Sequence, residues 1–199
     1  QLAAVLLRAG RMQQARAQIR QLRRQHTLSP RETAAFERLQ IAYAVRYADA
    51  LRQQGKLEQA WKVLQARLQQ APESINLLKS FGRLLLQMGE SEDARSVFMR
   101  VLERAPGDSD ARVGAVHACL AAGDGEAASR LVDQGLQSSP DAPRIHLLAG
   151  RLAARRGSDA EAVRAFQRAR KLLDAQSAPS DRQGNDNSIW PLVQQAQAT

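Results

Sequence analysis

The chain has 199 residues with a formal net charge of +9, and it contains three histidines and a single cysteine. One cysteine excludes an internal disulfide, and His26, His117 and His146 are too far apart in the sequence for a metal site on one helix. No apolar run approaches the roughly 20 residues that cross a bilayer. We therefore expect no membrane span in this chain.

Residues 1–27 predict a helical hairpin. Apolar residues recur at helical spacing on both sides of Gly10, where the chain is expected to turn. The helical pattern is already under way at Gln1, which is not methionine. We therefore expect this sequence to be a piece of a longer protein.

Residues 30–54 predict one long helix. Ser29 is a suitable cap, Pro30 fits the first turn, and Glu32 completes a capping box with Ser29. The helical pattern then continues without a breaker, which predicts a helix of about 25 residues. The alternative is a kink or a break near Gln40. The apolar stripe of this helix would comprise Phe36, Leu39, Tyr43 and Tyr47.

Glycine recurs every 34 residues in the remaining chain, at Gly55, Gly89, Gly123 and Gly157. A helical pattern precedes and follows each of them, and glycine ends a helix by taking a left-handed conformation at little cost. A fixed period of this length predicts an array of repeats. Gly10 precedes Gly55 by 45 residues, which is 34 plus 11, or about three additional helical turns. This spacing agrees with an extended helix before Gly55.

Three further positions recur with the glycines. A small residue follows each glycine by five positions, a large apolar residue by nine, and a proline by seventeen in three of the four units, with Asp174 in the fourth. Small residues let two helices approach to roughly 8–10 Å, and proline ends the second helix. The residues concerned are Ala60, Ala94, Ala128 and Ala162, then Leu64, Phe98, Val132 and Phe166, then Pro72, Pro106 and Pro140.

This pattern resembles the tetratricopeptide repeat. The resemblance implies an all-α superhelix, or α-solenoid, of about five helical hairpins, one of them with an extended helix. Two residues depart from the pattern: Val116 stands where a small residue is usual, and Arg67 stands where the other units have small or apolar residues. Gly114 stands two positions before Val116, and we expect looser or re-registered packing at both departures. The predicted units are residues 1–27, 30–72, 75–106, 109–140 and 143–174, with the last helix ending near Leu173.

Residues 175–199 predict a polar linker or C-terminal tail, because serine, proline, aspartate, asparagine and glutamine replace the helical pattern. A short apolar patch, residues 189–193, interrupts this composition. Three interpretations stay open for the patch: it docks on the end of the array, it docks on a neighbouring molecule, or it becomes ordered only in a longer chain.

Catalytic motifs are missing from the sequence. It contains no HExxH, no CxxC and no GxSxG motif, and its acidic residues are scattered as helix caps and charge partners would be. Cys119 lies at an apolar helical position, which favours a buried structural thiol over a nucleophile. We expect a protein that is not an enzyme and that needs no cofactor and no metal.

The first helix of each unit lines the concave surface in arrays of this type, which makes that surface the candidate binding site. Its predicted lining is mildly basic and favours an extended acidic segment of a protein partner in an envelope or secretion complex, or an anionic polymer such as a polysaccharide. The alternative is a solvated helix face without an anionic ligand. The predicted partner-binding residues are Arg46, Asp49, Arg52, Asn76, Lys79, Arg83, His117, Arg144, Arg151 and Arg155.

Two ligand classes are disfavoured. Chaperone-binding tetratricopeptide domains hold a carboxylate with a Lys-x-x-x-Asn pair, whereas Lys79 is followed by Arg83 at that spacing. The basic residues are spread over both faces of the predicted helices, so we expect no specific recognition of nucleic acid.

The stretches 41–56 and 110–115 are similar to the late repeats of the bacterial cellulose synthase operon protein C family. This resemblance implies a periplasmic scaffold, associated with the outer membrane, that organises the synthase complex and guides the glucan towards export. Two alternatives stay open: a peptide-binding adaptor in pilus, secretion or envelope assembly, and the regulatory arm of an enzyme whose catalytic part lies elsewhere. A cytoplasmic location is the alternative to the periplasm.

Overall fold

The computed structural model describes residues 2–23 and 29–177, and over these ranges the chain forms ten α-helices and no strand. The two ends of the predicted hairpin 1–27 and residues 178–199 of the predicted tail, with its apolar patch, lie outside the described residues. In chain order the helices are α1 (Leu2–Arg8), α2 (Met12–Arg23), α3 (Pro30–Gln53), α4 (Leu57–Leu68), α5 (Ile75–Met88), α6 (Ser91–Arg104), α7 (Ser109–Ala121), α8 (Gly125–Ser138), α9 (Pro143–Arg155) and α10 (Asp159–Ser177).

The helices pair into five hairpins that stack in two layers. Each odd-numbered helix up to α7 packs against the next odd-numbered helix. The even-numbered helices α2 to α8 pack against the odd-numbered helices before and after them, and α10 packs against α9. Among the described helices, no two even-numbered ones come into comparable contact. Because one layer is continuous and the other is spread apart, the stack is an α-solenoid, which confirms the predicted all-α fold.

The turn inside each hairpin is built around a left-handed glycine, as predicted. Gly10, Gly55, Gly89, Gly123 and Gly157 have φ angles between 72° and 89°. The N–H that follows each glycine donates to the carbonyl five residues earlier, at 2.8 to 3.0 Å. This bond satisfies a carbonyl that the end of the helix would otherwise leave unpaired.

Helix α3 is continuous over 24 residues, which confirms the predicted extended helix and excludes the break near Gln40. Its start has the predicted capping box: the Ser29 N–H donates to the Glu32 carboxylate at 2.9 Å, and the Glu32 N–H donates to the Ser29 hydroxyl at 3.4 Å. Tyr43 and Tyr47 stack with ring centroids 5.7 Å apart. Helix α3 packs against α1 and α2, and residues 30–35 at its start are exposed.

Helix α10 continues to Ser177, past the predicted end near Leu173. The three preceding units have proline at the equivalent position, whereas this one has Asp174. Aspartate keeps its backbone N–H and has no ring to clash with the preceding turn, so it does not stop the helix. The prediction was wrong here because the repeat loses its terminating residue.

The two departures from the repeat pattern are accommodated by their neighbours. Val116 is fully buried, and the packing is re-registered by two residues, which is one of the two outcomes expected there. The closest approach between the helices occurs at Gly114, two residues earlier. An added Cβ atom there would overlap the ring of Phe98. Arg67 donates to Gln40 and to Gln70, both at 2.7 Å, so the extended α3 supplies one of its partners.

Phe98 joins two successive hairpins. Its side chain is 1% exposed and lies between Gly82 of α5 and Gly114 of α7. A Cβ atom at Gly82 would lie 2.7 Å from the Phe98 ring, and one at Gly114 would lie closer still. A phenylalanine therefore fills the space that two glycines leave open, and the stacking depends on all three residues.

Replacing Gly114 with alanine should destabilise the protein by about 1–3 kcal/mol, because the added methyl group overlaps a ring that cannot leave the core. This loss should exceed the roughly 0.5–1 kcal/mol that alanine contributes over glycine inside a helix. The measurement is the midpoint of urea unfolding. Gly125→Ala is the matched control, since nothing lies within 4 Å of the position of its added Cβ. Equal midpoints for the two variants would contradict the packing described for Phe98.

Candidate functional site

The face of the odd-numbered helices carries a series of ion pairs that connect neighbouring hairpins. Asp49 of α3 lies 3.9 Å from Arg83 of α5 and 3.6 Å from Arg52 on its own helix. Lys79 of α5 lies 3.8 Å from Asp110 of α7. Asp110 also pairs with Arg144 of α9. Five of the ten predicted binding residues therefore take part in these ion pairs: Asp49 contacts both Arg52 and Arg83, whereas Lys79 and Arg144 meet at Asp110, which is not among the ten.

Lys79 and Asp108 form the least exposed ion pair of this face. The ammonium lies 2.7 Å from the carboxylate, and the two side chains are 14% and 16% exposed. Asp108 also caps α7, since its other carboxylate oxygen accepts the Ala111 N–H at 2.8 Å. Although partial burial alone would raise it, the pKa of Asp108 is held below its ordinary value by the Lys79 ammonium and the Ala111 N–H.

The other five predicted residues are exposed: Arg46, Asn76, His117, Arg151 and Arg155. Within the part of the chain that the structure describes, no salt bridge involves Arg46, Arg151 or Arg155. Arg46 lies on α3, whereas Arg151 and Arg155 lie four residues apart on α9. The unneutralised positive charge of the face is thus concentrated on α9, and the middle of the face is largely neutralised.

His117 of α7 lies next to this cationic end. Partial burial, and secondarily the charge of Arg151, lowers the pKa of His117 below its ordinary value. The imidazole is therefore mainly neutral at pH 7, and arginine supplies the positive charge. Asn76, the remaining predicted residue, is exposed at the start of α5.

Sequence reasoning missed Asp108 as a member of this face. Its signal was local and was present: an aspartate immediately before a helix is a preferred N-cap. Its second role depends on Lys79, which lies 29 residues away and meets it only when α5 and α7 pack together. An N-cap pattern locates the residue, but it does not reveal its ion-pair partner.

Cys119 and Arg112 are both buried, and their contacts are those of structural residues. Cys119 is fully buried, as predicted, and burial raises the pKa of its thiol. Arg112 is buried and donates to the carbonyls of Pro106 and Leu131, at 2.6 and 3.4 Å. Gly135 makes room for it, because a Cβ atom there would lie 2.6 Å from the Arg112 side chain. No group of three potential metal ligands occurs within residues 2–23 and 29–177.

None of the described helices has the length and apolarity that a bilayer span requires.

A family model described as "Tetratricopeptide repeat" matches residues 51–111 and 85–152. The cellulose synthase operon protein C of Pseudomonas fluorescens is 25% identical over 88% of this chain. The proteins of that name from Komagataeibacter sucrofermentans and Xanthomonas axonopodis are 31% and 34% identical over 58% and 51% of it. This chain spans only 14%, 9% and 7% of the lengths of these three relatives.

Solved structures show the same fold. MamA from Desulfovibrio magneticus superposes with a TM-score of 0.64 at 20% identity, covering 89% of this chain and 94% of its own. A thermophilic TPR protein of Thermus thermophilus superposes with a TM-score of 0.60 at 19% identity, covering 67% of this chain and 75% of its own. At these identities the similarity concerns the fold alone.

Replacing Lys79 with methionine should destabilise the protein by about 1–3 kcal/mol, because it leaves the partly buried Asp108 carboxylate without its cation. Adding Asp108→Asn should recover part of this loss, since asparagine still caps α7. Urea unfolding of both single variants and the double variant measures the coupling. Arg130→Met is the control: its pair with Glu126 is exposed, and its removal should cost less than about 0.5 kcal/mol. A Lys79 variant no less stable than this control would contradict the assignment.

The same pair predicts a pH dependence. Since the folded-state pKa of Asp108 is depressed, its contribution is present above the unfolded value near 3.9 and is lost as the pH falls through the folded-state pKa. Unfolding free energies measured from pH 6 to pH 2 should therefore fall less steeply for Asp108→Asn than for the wild type. Parallel curves would show that Asp108 has no depressed pKa.

Proposed function

The chain belongs to the tetratricopeptide repeat family, and from that premise we propose that it is a non-catalytic scaffold in bacterial cellulose or exopolysaccharide synthesis and export. The tetratricopeptide fold indicates a scaffold for protein–protein interactions. The observation that carries the finer proposal is the similarity of up to 88% of the chain to proteins named cellulose synthase operon protein C. On this proposal the repeats work in the periplasm.

The face of the odd-numbered helices is the proposed contact surface. Arg151 and Arg155 lie on one side of α9, are exposed, and are not neutralised by any described carboxylate. Guanidinium groups bind carboxylates through two parallel hydrogen bonds, so a pair of them suits an acidic protein segment. Arg46 provides a further cation on α3. The ion pairs between these two ends connect neighbouring helices and leave little net charge on the surface between them.

The described helices favour a scaffold over a catalyst for a physical reason. Asp108 and Asp124 serve as helix caps and ion-pair partners, and the buried Cys119 and Arg112 have no access to a substrate. A surface shared by successive helices of a stack is suited to an extended partner. A peptide-binding adaptor in pilus, secretion or envelope assembly would use the same surface, and the experiments below separate the two roles.

Reversing both charges, Arg151→Glu with Arg155→Glu, should weaken binding of an acidic partner at least about tenfold, since each lost charge-assisted hydrogen bond contributes about 1.5–3 kcal/mol. The variant is made in the full-length protein in its own cell, and the measurement is the amount of envelope protein that co-purifies after cross-linking. The matched control is Lys62→Glu with Arg130→Glu, which changes net charge equally on the even-numbered helices α4 and α8. Equal recovery of partners by both variants would exclude α9 as the contact surface.

The role in export needs its own measurement. Deleting residues 29–177 from the full-length protein should abolish secreted cellulose, measured as glucose released by cellulase, and the wild-type gene should restore it. Unchanged cellulose secretion would reject the export role. Loss of a pilus or of secreted protein with normal cellulose would support the adaptor instead.

A further inference from the structure

The large apolar residue that follows each turn glycine by nine positions is buried in every unit but the last. Leu64, Phe98 and Val132 are 0%, 1% and 3% exposed, whereas Phe166 is 37% exposed. In the first three cases the odd-numbered helix of the next hairpin covers the residue. Phe166 belongs to α10, and no described helix follows α10.

Phe166 is packed on one side only. A Cβ atom at Gly150 of α9 would lie 2.6 Å from its ring, much as one at Gly82 would lie 2.7 Å from Phe98. Phe98 meets a second glycine, Gly114, from the following hairpin. Within the described residues, Phe166 has no counterpart of Gly114. Half of a repeated packing arrangement is therefore present, and its outer half is open to solvent.

The open side of α10 carries two further large apolar residues beside Phe166. Val163 is 52% exposed and Leu173 is 43% exposed, and with Phe166 they follow one another at intervals of three and seven residues. These intervals place the three side chains along one side of the helix. Large exposed apolar residues grouped in this way mark a surface that another element covers.

We propose that residues 189–193 of this chain cover the α10 face, with Trp190 lying against Phe166. Residues 178–199 are otherwise mostly small or polar, and Ile189, Trp190, Leu192 and Val193 are their only large apolar residues. The eleven residues 178–188 connect the end of α10 to this patch and extend to about 36 Å. Phe166 lies eleven residues before Ser177, about 17 Å back along the helix. The connection is long enough for the patch to return to it.

The intramolecular connection favours this patch over an external partner. A short covalent connection gives an effective concentration in the millimolar range, which a second molecule reaches only in concentrated solution. A tryptophan buries roughly 150–250 Å², and it packs favourably against the edge or face of another aromatic ring. Asp181 and Asp186 of the connection also complement Arg170 and Lys171, which lie near the end of α10.

Tryptophan fluorescence tests the proposal in the 199-residue chain. Trp61 and Trp190 are the two tryptophans, so Trp61→Phe leaves Trp190 as the only one. In that background we expect blue-shifted emission and severalfold slower quenching by acrylamide than for a free tryptophan peptide. Phe166→Ala should shift the emission to the red and restore fast quenching. Met99→Ala is the control, because Met99 is a similarly exposed apolar residue on α6. Emission typical of free tryptophan before any change at Phe166 would overturn the proposal.

A second variant guards against unfolding of the array. Leu192→Ser lies outside the ten helices, so it should release Trp190 while the far-ultraviolet circular dichroism stays unchanged. The concentration series then separates the two possible sources of shielding. Docking within one chain predicts emission that is independent of protein concentration and a monomer by analytical ultracentrifugation. Shielding that appears only as a dimer forms would show that a second copy covers α10, and it would overturn docking within the chain.

Discussion

Stacking of the hairpins depends on one close contact, in which a large side chain enters the space left by missing Cβ atoms on two helices. Phe98 shows this most clearly, because Gly82 lies on one side of its ring and Gly114 on the other. Each glycine lowers the helical propensity of its own helix by roughly 0.5–1 kcal/mol. Burial of a phenylalanine between successive hairpins offsets that loss. The repeat period therefore reflects the spacing of small residues that packing requires, as well as the lengths of the helices.

Charge follows the same geometry. Once the odd-numbered helices lie side by side, residues of opposite sign on neighbouring helices meet, and Asp49 with Arg83 and Lys79 with Asp110 are the result. These pairs are partly exposed, so each contributes little to stability by itself. Their main effect is on the charge of the surface, because they neutralise the cations in the middle of the face. A partner that needs free arginine therefore meets it chiefly on α9.

The separation in sequence between interacting residues explains which features the sequence could predict. Turn glycines and the capping box at Ser29 act within a few residues, so their pattern predicted them correctly. The pair of Lys79 and Asp108 joins residues 29 positions apart, and its formation depends on how two helices rotate against each other. The prediction of a mildly basic lining considered the cations of the face without the carboxylates that pair with them. The end of α10 was misplaced for another reason, since a pattern learned from three prolines did not apply to Asp174.

The extended α3 shows how an array tolerates an irregular unit. An α-helix turns by about 100° per residue, so eleven additional residues rotate the chain by about three full turns and return it to nearly the same face. Helix α3 packs against α1 and α2, while Ala44, Ala48 and Leu51 share a core with Leu77 and Leu84 of the next hairpin. An insertion of nine residues would rotate the same face by about half a turn and direct it to solvent. The helix is longer than its counterparts, but the orientation that stacking requires is preserved, and the first hairpin stays part of the same solenoid.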